Sequence, residues 1–185
     1  MSDFYKINIA GLERNLPVCP INENLSIGAF VMFGDVEITV TAATELLKLA
    51  PEHDILVTAE AKGIPLAHEM ARQNGASSYI VARKAAKLYM RKVFSVEVNS
   101  ITTERIQTLC IDSKEAERMN GKKVLIIDDV ISTGESLRAM ENLVKKSGGI
   151  IVGKMAVLAE GDAHYRKDII YLERLPLLNP DGTPK

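Results

Sequence analysis

The stretch Val124-Leu125-Ile126-Ile127 constrains this chain more than any other, because two acids, Asp128 and Asp129, follow it at once. A continuous apolar run suits a strand buried on both faces, as in parallel sheets covered by helices on either side. Two carboxylates at the mouth of such a strand are costly unless they bind something or reach water. The next residues, Ser132-Thr133-Gly134-Glu135-Ser136, are short, hydroxyl-bearing and broken by a glycine. Leu137, Met140, Leu143 and Val144 then recur at helical spacing, and Gly148-Gly149 ends that helix.

The same alternation runs through the middle of the chain. Ile55–Thr58 reads as a strand, Leu66–Gln73 as a helix stopped near Gly75, and Tyr79–Ala82 as the next strand. Ser113 is a candidate cap for a short polar helix carrying Glu115 and Glu117, and Ile150–Leu158 supplies another strand. Strand–helix–strand order predicts an α/β fold with a central, mostly parallel sheet flanked by helices. Ligands of such sheets bind beyond the carboxyl ends of the strands, where Asp128 and Asp129 fall. At 185 residues one compact domain is expected, with residues 179–185 as a frayed tail.

A strand–loop–helix junction brings free backbone N–H groups and the positive end of a helix to one spot, which suits a phosphate. The adjacent acids can face a vicinal diol, so a ribose 5-phosphate matches both features. The P-loop string and the dinucleotide Gly-x-Gly-x-x-Gly string are absent. A phosphorylation receiver domain needs more chain than follows Asp129. The plain alternative is a capping loop with solvated acids.

Composition excludes other classes. The net charge of −1 gives no reason to expect nucleic acid. Two widely spaced cysteines, Cys19 and Cys110, form no disulfide framework, and no signal-like or membrane-length apolar run is present, so a soluble cytoplasmic protein is expected. His53, His68 and His164 have no metal-ligand spacing, and no residue is assigned to a metal.

Val124–Ser136 resembles the 5-phosphoribosyl-1-diphosphate (PRPP) signature of type I phosphoribosyltransferases, with Glu135 where purine members often have Gly. Glu60-Ala61-Lys62-Gly63 is similar to the Glu-Ala-Arg-Gly segment of the adenine branch; read alone, Ala61-Lys62-Gly63 is an ordinary β–α turn. Arg83-Lys84-Ala85-Ala86-Lys87-Leu88 resembles that branch's Arg-Lys-x-Gly-Lys-Leu, against the alternative of a solvated basic face. Phe94–Val98 resembles the start of the catalytic loop of adenine and xanthine members, with a lid to about Gln107 that includes Thr102, Thr103 and Glu104; an exposed hairpin is the alternative. Leu16–Pro20 through Phe33-Gly34-Asp35 is similar to the adenine family's N-terminal hood, with Gly34 where the family has Arg. The resemblance implies a hood over residues 1–40 and a PRPP-binding core over 41–178.

It further implies pyrophosphate displacement from PRPP by a nucleobase, with Asp128 and Asp129 on the sugar hydroxyls. Ser132, Thr133, Gly134, Glu135 and Ser136 would take the 5-phosphate. Ala61, Lys62, Gly63, Arg83, Lys84 and Lys87 would take the pyrophosphate, and Glu97 would face the base. Phe33 and Leu158 are candidates for stacking on the base, or for core packing. Mg²⁺ held mainly by PRPP and water is the implied cofactor, and a homodimer the implied assembly. No Lys follows Leu158 to meet a 6-oxo group, so adenine is favoured over the 6-oxopurines. A PRPP-sensing regulator is the other reading, since Lys62–Ala67 and Arg105–Thr108 resemble a purine repressor, though too few residues precede them for its winged-helix domain.

Overall fold

The computed structural model describes residues 3–99 and 106–185. The chain opens with an antiparallel sheet of β1 (Phe4–Ile9), β2 (Leu12–Asn22) and β3 (Leu25–Gly28). Then follow α1 (Val36–Leu49), β4 (Ile55–Ala59), α2 (Gly63–Gln73), β5 (Ile80–Ala82) and the antiparallel pair β6 (Val93–Asn99) and β7 (Ile106–Asp112). The second half holds α3 (Ser113–Met119), β8 (Lys123–Ile131), α4 (Glu135–Lys146), β9 (Ile150–Glu160), a 3₁₀ turn at Gly161–Tyr165 and β10 (Ile170–Leu175). The central sheet has the order β10-β9-β8-β4-β5, every pairing parallel. This is the expected α/β architecture.

The apolar run of β8 works as its composition implies. Val124 and Ile126 face one core, with Leu137, Met140, Leu143 and Val144 of α4 and Met119 of α3. Leu125 and Ile127 face the other, with Ile38, Ala42 and Leu46 of α1 and Leu66 and Met70 of α2. Burying a Leu or Ile of this kind contributes about 1.5–3 kcal/mol, so both layers hold β8 firmly. The N-terminal sheet adds Ile7, Ile9 and Leu16 to the second core.

Three details differ from the reading of the sequence. The cap of α3 is Asp112, whose carboxylate accepts from Lys114 N at 3.0 Å while Glu115 accepts from Asp112 N. Ser113 sits one residue inside, and a carboxylate answers the helix dipole better than a hydroxyl. Helix α2 begins at Gly63, three residues before Leu66. The C-terminal residues are folded, not frayed: Leu178 and Ser26 exchange backbone bonds of 2.8 Å, and Lys185 N donates to Leu177 O. Asn179 and Thr183 close that turn.

Candidate active site

Four α-helices start among the described residues, and their N-termini fall into two kinds. Helices α1 and α3 each begin under an aspartate: Asp35 accepts from Ile38 N at 3.0 Å, and Asp112 caps α3. Helices α2 and α4 have no side-chain cap. These two follow β4 and β8, which are neighbours in the sheet, so the two helices start side by side. At α2, Ile64 N donates back to Ala61 O at 3.2 Å and Pro65 has no N–H, so the open donors belong chiefly to α4. Two helix ends without a side-chain cap share one corner of the molecule, α2 with no acid in its first turn and α4 with Glu135.

Gly134 makes the turn into α4 with φ +81°, a left-handed conformation that a side chain resists. Residues Asp128 and Val130–Leu137 line a concavity of about 90 Å³ there. Phosphate-sized space and open amide donors thus coincide. Gly63 brings the second loop close: a Cβ on it would stand 2.3 Å from the Thr58 hydroxyl and 3.4 Å from Asp128 Oδ1. Only glycine lets the start of α2 approach the acid pair so tightly.

The two acids differ in surroundings. Asp129 is 5% exposed and its Oδ2 lies 2.8 Å from Lys62 Nζ, a charge contact without hydrogen-bond alignment. Lys62 Nζ also donates to Phe30 O at 3.4 Å, joining the N-terminal region to β8. Asp128 is partly open, and its Oδ1 accepts from Asp129 N at 2.9 Å. Burial, and then the neighbouring Asp129 charge, push the Asp128 carboxyl up to about 8.

A second cluster forms around Glu60. Its carboxylate accepts from Lys84 N at 2.7 Å and from Arg83 Nη1 at 3.3 Å, with Lys87 Nζ at 3.9 Å. The backbone amide of Lys84, then Arg83, hold the Glu60 carboxyl below its ordinary range. Thus Arg83, Lys84 and Lys87 gather beside the loop that carries Lys62, organised by an acid to which the sequence reading gave no such part. The side chains of Lys84 and Lys92 stay exposed.

Other candidates lie apart. Glu97 is exposed on β6 opposite Thr108, and no contact among the described residues joins it to the acid pair. Thr102, Thr103 and Glu104 of the expected lid lie outside the described residues. Phe33 is 52% exposed. Leu158 is fully buried in the core that includes Leu16 and Phe30, so it packs and offers no open face to a base.

Arg166 was missed. A Cβ on Gly134 would stand 2.5 Å from its Nη1. The two residues are far apart in sequence, and no local pattern announces their meeting.

A parallel sheet with an acid pair and an open phosphate loop at its carboxyl edge defines a class, and comparison with known proteins agrees. Residues 37–178 match the phosphoribosyl transferase domain, and the chain belongs to that family. Within the family it is similar to adenine phosphoribosyltransferases. The enzyme of Rhodococcus jostii is 30% identical over 130 residues, 69% of either chain. That of Oenococcus oeni is 30% identical over 155 residues, 79% of this chain and 85% of its own length. For Bifidobacterium longum the match is 34% over 122 residues and spans 58% of the relative. In structure, the Thermoanaerobacter pseudethanolicus enzyme superposes with TM-score 0.65 at 20% identity, covering 93% of this chain and 95% of its own. The Saccharomyces cerevisiae enzyme, solved with adenine and an imino-altritol bisphosphate, gives 0.63 at 18%. At these identities the structural likeness is one of fold.

Proposed function

We propose that this chain transfers the 5-phosphoribosyl group from PRPP to a purine, adenine foremost, with release of pyrophosphate. One observation carries the reading: the two uncapped helices open side by side onto Asp128 and Asp129. A molecule with a phosphate at one end, a diol in the middle and a pyrophosphate at the other matches that arrangement. The similarity to adenine phosphoribosyltransferases supports the choice of base.

In this reading the α4 amides hold the 5-phosphate, while Asp128 and Asp129 accept from the 2′ and 3′ hydroxyls. Their negative charge offsets the positive charge that grows on the ribose as the C1′–pyrophosphate bond opens, and a base nitrogen takes the place of the departing oxygen. Lys62, Arg83, Lys84 and Lys87 draw the pyrophosphate away. Glu97 meets the base from the β6–β7 pair, residues 1–40 shelter it, and Phe33 offers it an open ring. Paired carboxylate oxygens suit a hard cation, so Asp128 and Asp129 fit Mg²⁺ arriving with the substrate; when bound it would neutralise charge on the leaving group. A second copy of this chain would cover the exposed Leu88 and Tyr89 beside the basic run.

The reading takes the cytoplasm as the site of action; separately, no helix among the described residues is long and apolar enough to cross a membrane. The test is incubation with PRPP, Mg²⁺ and a panel of purines and pyrimidines, following pyrophosphate release. Fastest turnover with adenine is expected. Bound PRPP without turnover on any base would make the protein a sensor instead.

A further inference from the structure

The phosphate loop has a charge deficit. Residues 132–136 contain Glu135 and no basic residue, yet a 5-phosphate brings up to two negative charges. Amide donors and a helix end supply only part of the balance. A cation from a distant stretch of the sequence reaches this loop. Arg166 follows the 3₁₀ turn, with its backbone N donating to Ala163 O at 3.1 Å. Its guanidinium forks onto Asp168, Nε to Oδ1 at 3.0 Å and Nη2 to Oδ2 at 2.8 Å.

That fork is itself braced. Lys154 Nζ bonds Asp168 and also reaches Glu141 of α4 at 2.7 Å. Arg166 first, then Lys154, hold the Asp168 carboxyl well below the ordinary carboxylate range, so it stays ionised and the bracing persists. With two nitrogens committed, Nη1 is left to face Gly134. Its approach is close enough that any side chain at position 134 would collide with it. The Arg166 side chain is 31% exposed, and although Asp168 balances its charge, Nη1 is the nitrogen turned toward Gly134.

We propose that Arg166 is a positioning residue for the 5-phosphate: it props Gly134 in its left-handed turn and supplies the cationic charge that residues 132–136 lack. The assignment deepens the phosphoribosyl reading and rests on it. Its selectivity is specific. The monophosphate end of a substrate should feel Arg166, and the pyrophosphate end, served by Lys62 and the 83–87 cations, should not.

The test compares Arg166→Met, which keeps the aliphatic stem, with Arg166→Lys. Ribose 5-phosphate and pyrophosphate serve as competing inhibitors, and thermal melts check folding. Arg166→Met should raise KM for PRPP and Ki for ribose 5-phosphate roughly 10- to 100-fold, as expected for losing a charge-assisted contact. Pyrophosphate inhibition and kcat should stay within about threefold of wild type, with part of the loss restored by Arg166→Lys. Unchanged ribose 5-phosphate binding in Arg166→Met would overturn the assignment, and so would equal weakening of both inhibitors. Should Arg166→Met not fold, Asp168→Asn takes its place: it releases the fork and should weaken ribose 5-phosphate selectively, and no change there would overturn the assignment too. A wild-type protein that bound neither PRPP nor ribose 5-phosphate would instead bring down the underlying function.

Discussion

Helices α1 and α3 begin under their own aspartates, while α2 and α4 begin under nothing of the kind. All four obey the same chemistry, since each leaves N–H groups unpaired in its first turn. The capped pair satisfy that need internally, for stability. Of the uncapped pair, α4 leaves it open beside Asp128, while α2 reduces it with Pro65, which has no N–H, and with a bond from Ile64 N back to Ala61 O. A capping acid in α4 would make a better isolated helix and a worse anion site.

The comparison breaks most severely at Gly134. Gly134→Ala adds a side chain at φ +81° and sets it against Arg166, so kcat/KM for PRPP should fall at least about 100-fold. Steady-state kinetics on protein of normal circular dichroism decides this. A smaller loss, roughly 10- to 100-fold in PRPP affinity, is expected from Lys84→Glu with Lys87→Glu. Ribose 5-phosphate should be almost unaffected by that pair, and equal weakening of both ligands would show that these cations do not serve the pyrophosphate end.

The acid pair sharpens the contrast through pH. The Asp128 carboxyl is raised to about 8 from an ordinary 3.8, so between those values the folded chain holds a proton that the unfolded chain has lost. Stability from this group is complete below the ordinary value and declines as pH climbs toward 8. The ligand-free melting temperature should fall across that range, and Asp128→Asn should flatten the decline. Activity should move the other way, with kcat/KM rising toward pH 8 as Asp128 ionises. A melting profile identical in Asp128→Asn and wild type would remove the raised carboxyl from the account.

The mildest effect is the control. Asp112→Ala removes the cap of α3 and should lower the midpoint of chemical denaturation modestly, leaving KM for PRPP unmoved. A change in KM would mean that capped and uncapped helices are not separate devices.

Much of this was legible from the residues. The runs at 55–58, 124–127 and 150–158 are apolar because each strand faces two cores, and that doubling shows in sequence as a loss of alternation. The acid pair and its loop were legible because a buried strand rarely ends in two carboxylates without use for them. Contacts between distant segments were not. Glu60 gathers cations more than 20 residues away, and Arg166 meets Gly134 across β9. Leu158 was ambiguous because an apolar residue near a strand end can pack or line a pocket, and only the fold shows that it packs. The folded C-terminus was hidden for a related reason: Pro, Gly and Asn suit a frayed end and a tight turn equally well.

The contact between Lys62 and Asp129 has a consequence for the order of events. That lysine keeps an almost sunken carboxylate tolerable by lending it a counter-ion. On the proposed reading, an entering sugar would claim the same oxygen with its hydroxyls, and the lysine, displaced, would become available to the pyrophosphate beside it. One guest's arrival would thereby arm the group that helps see its other half depart.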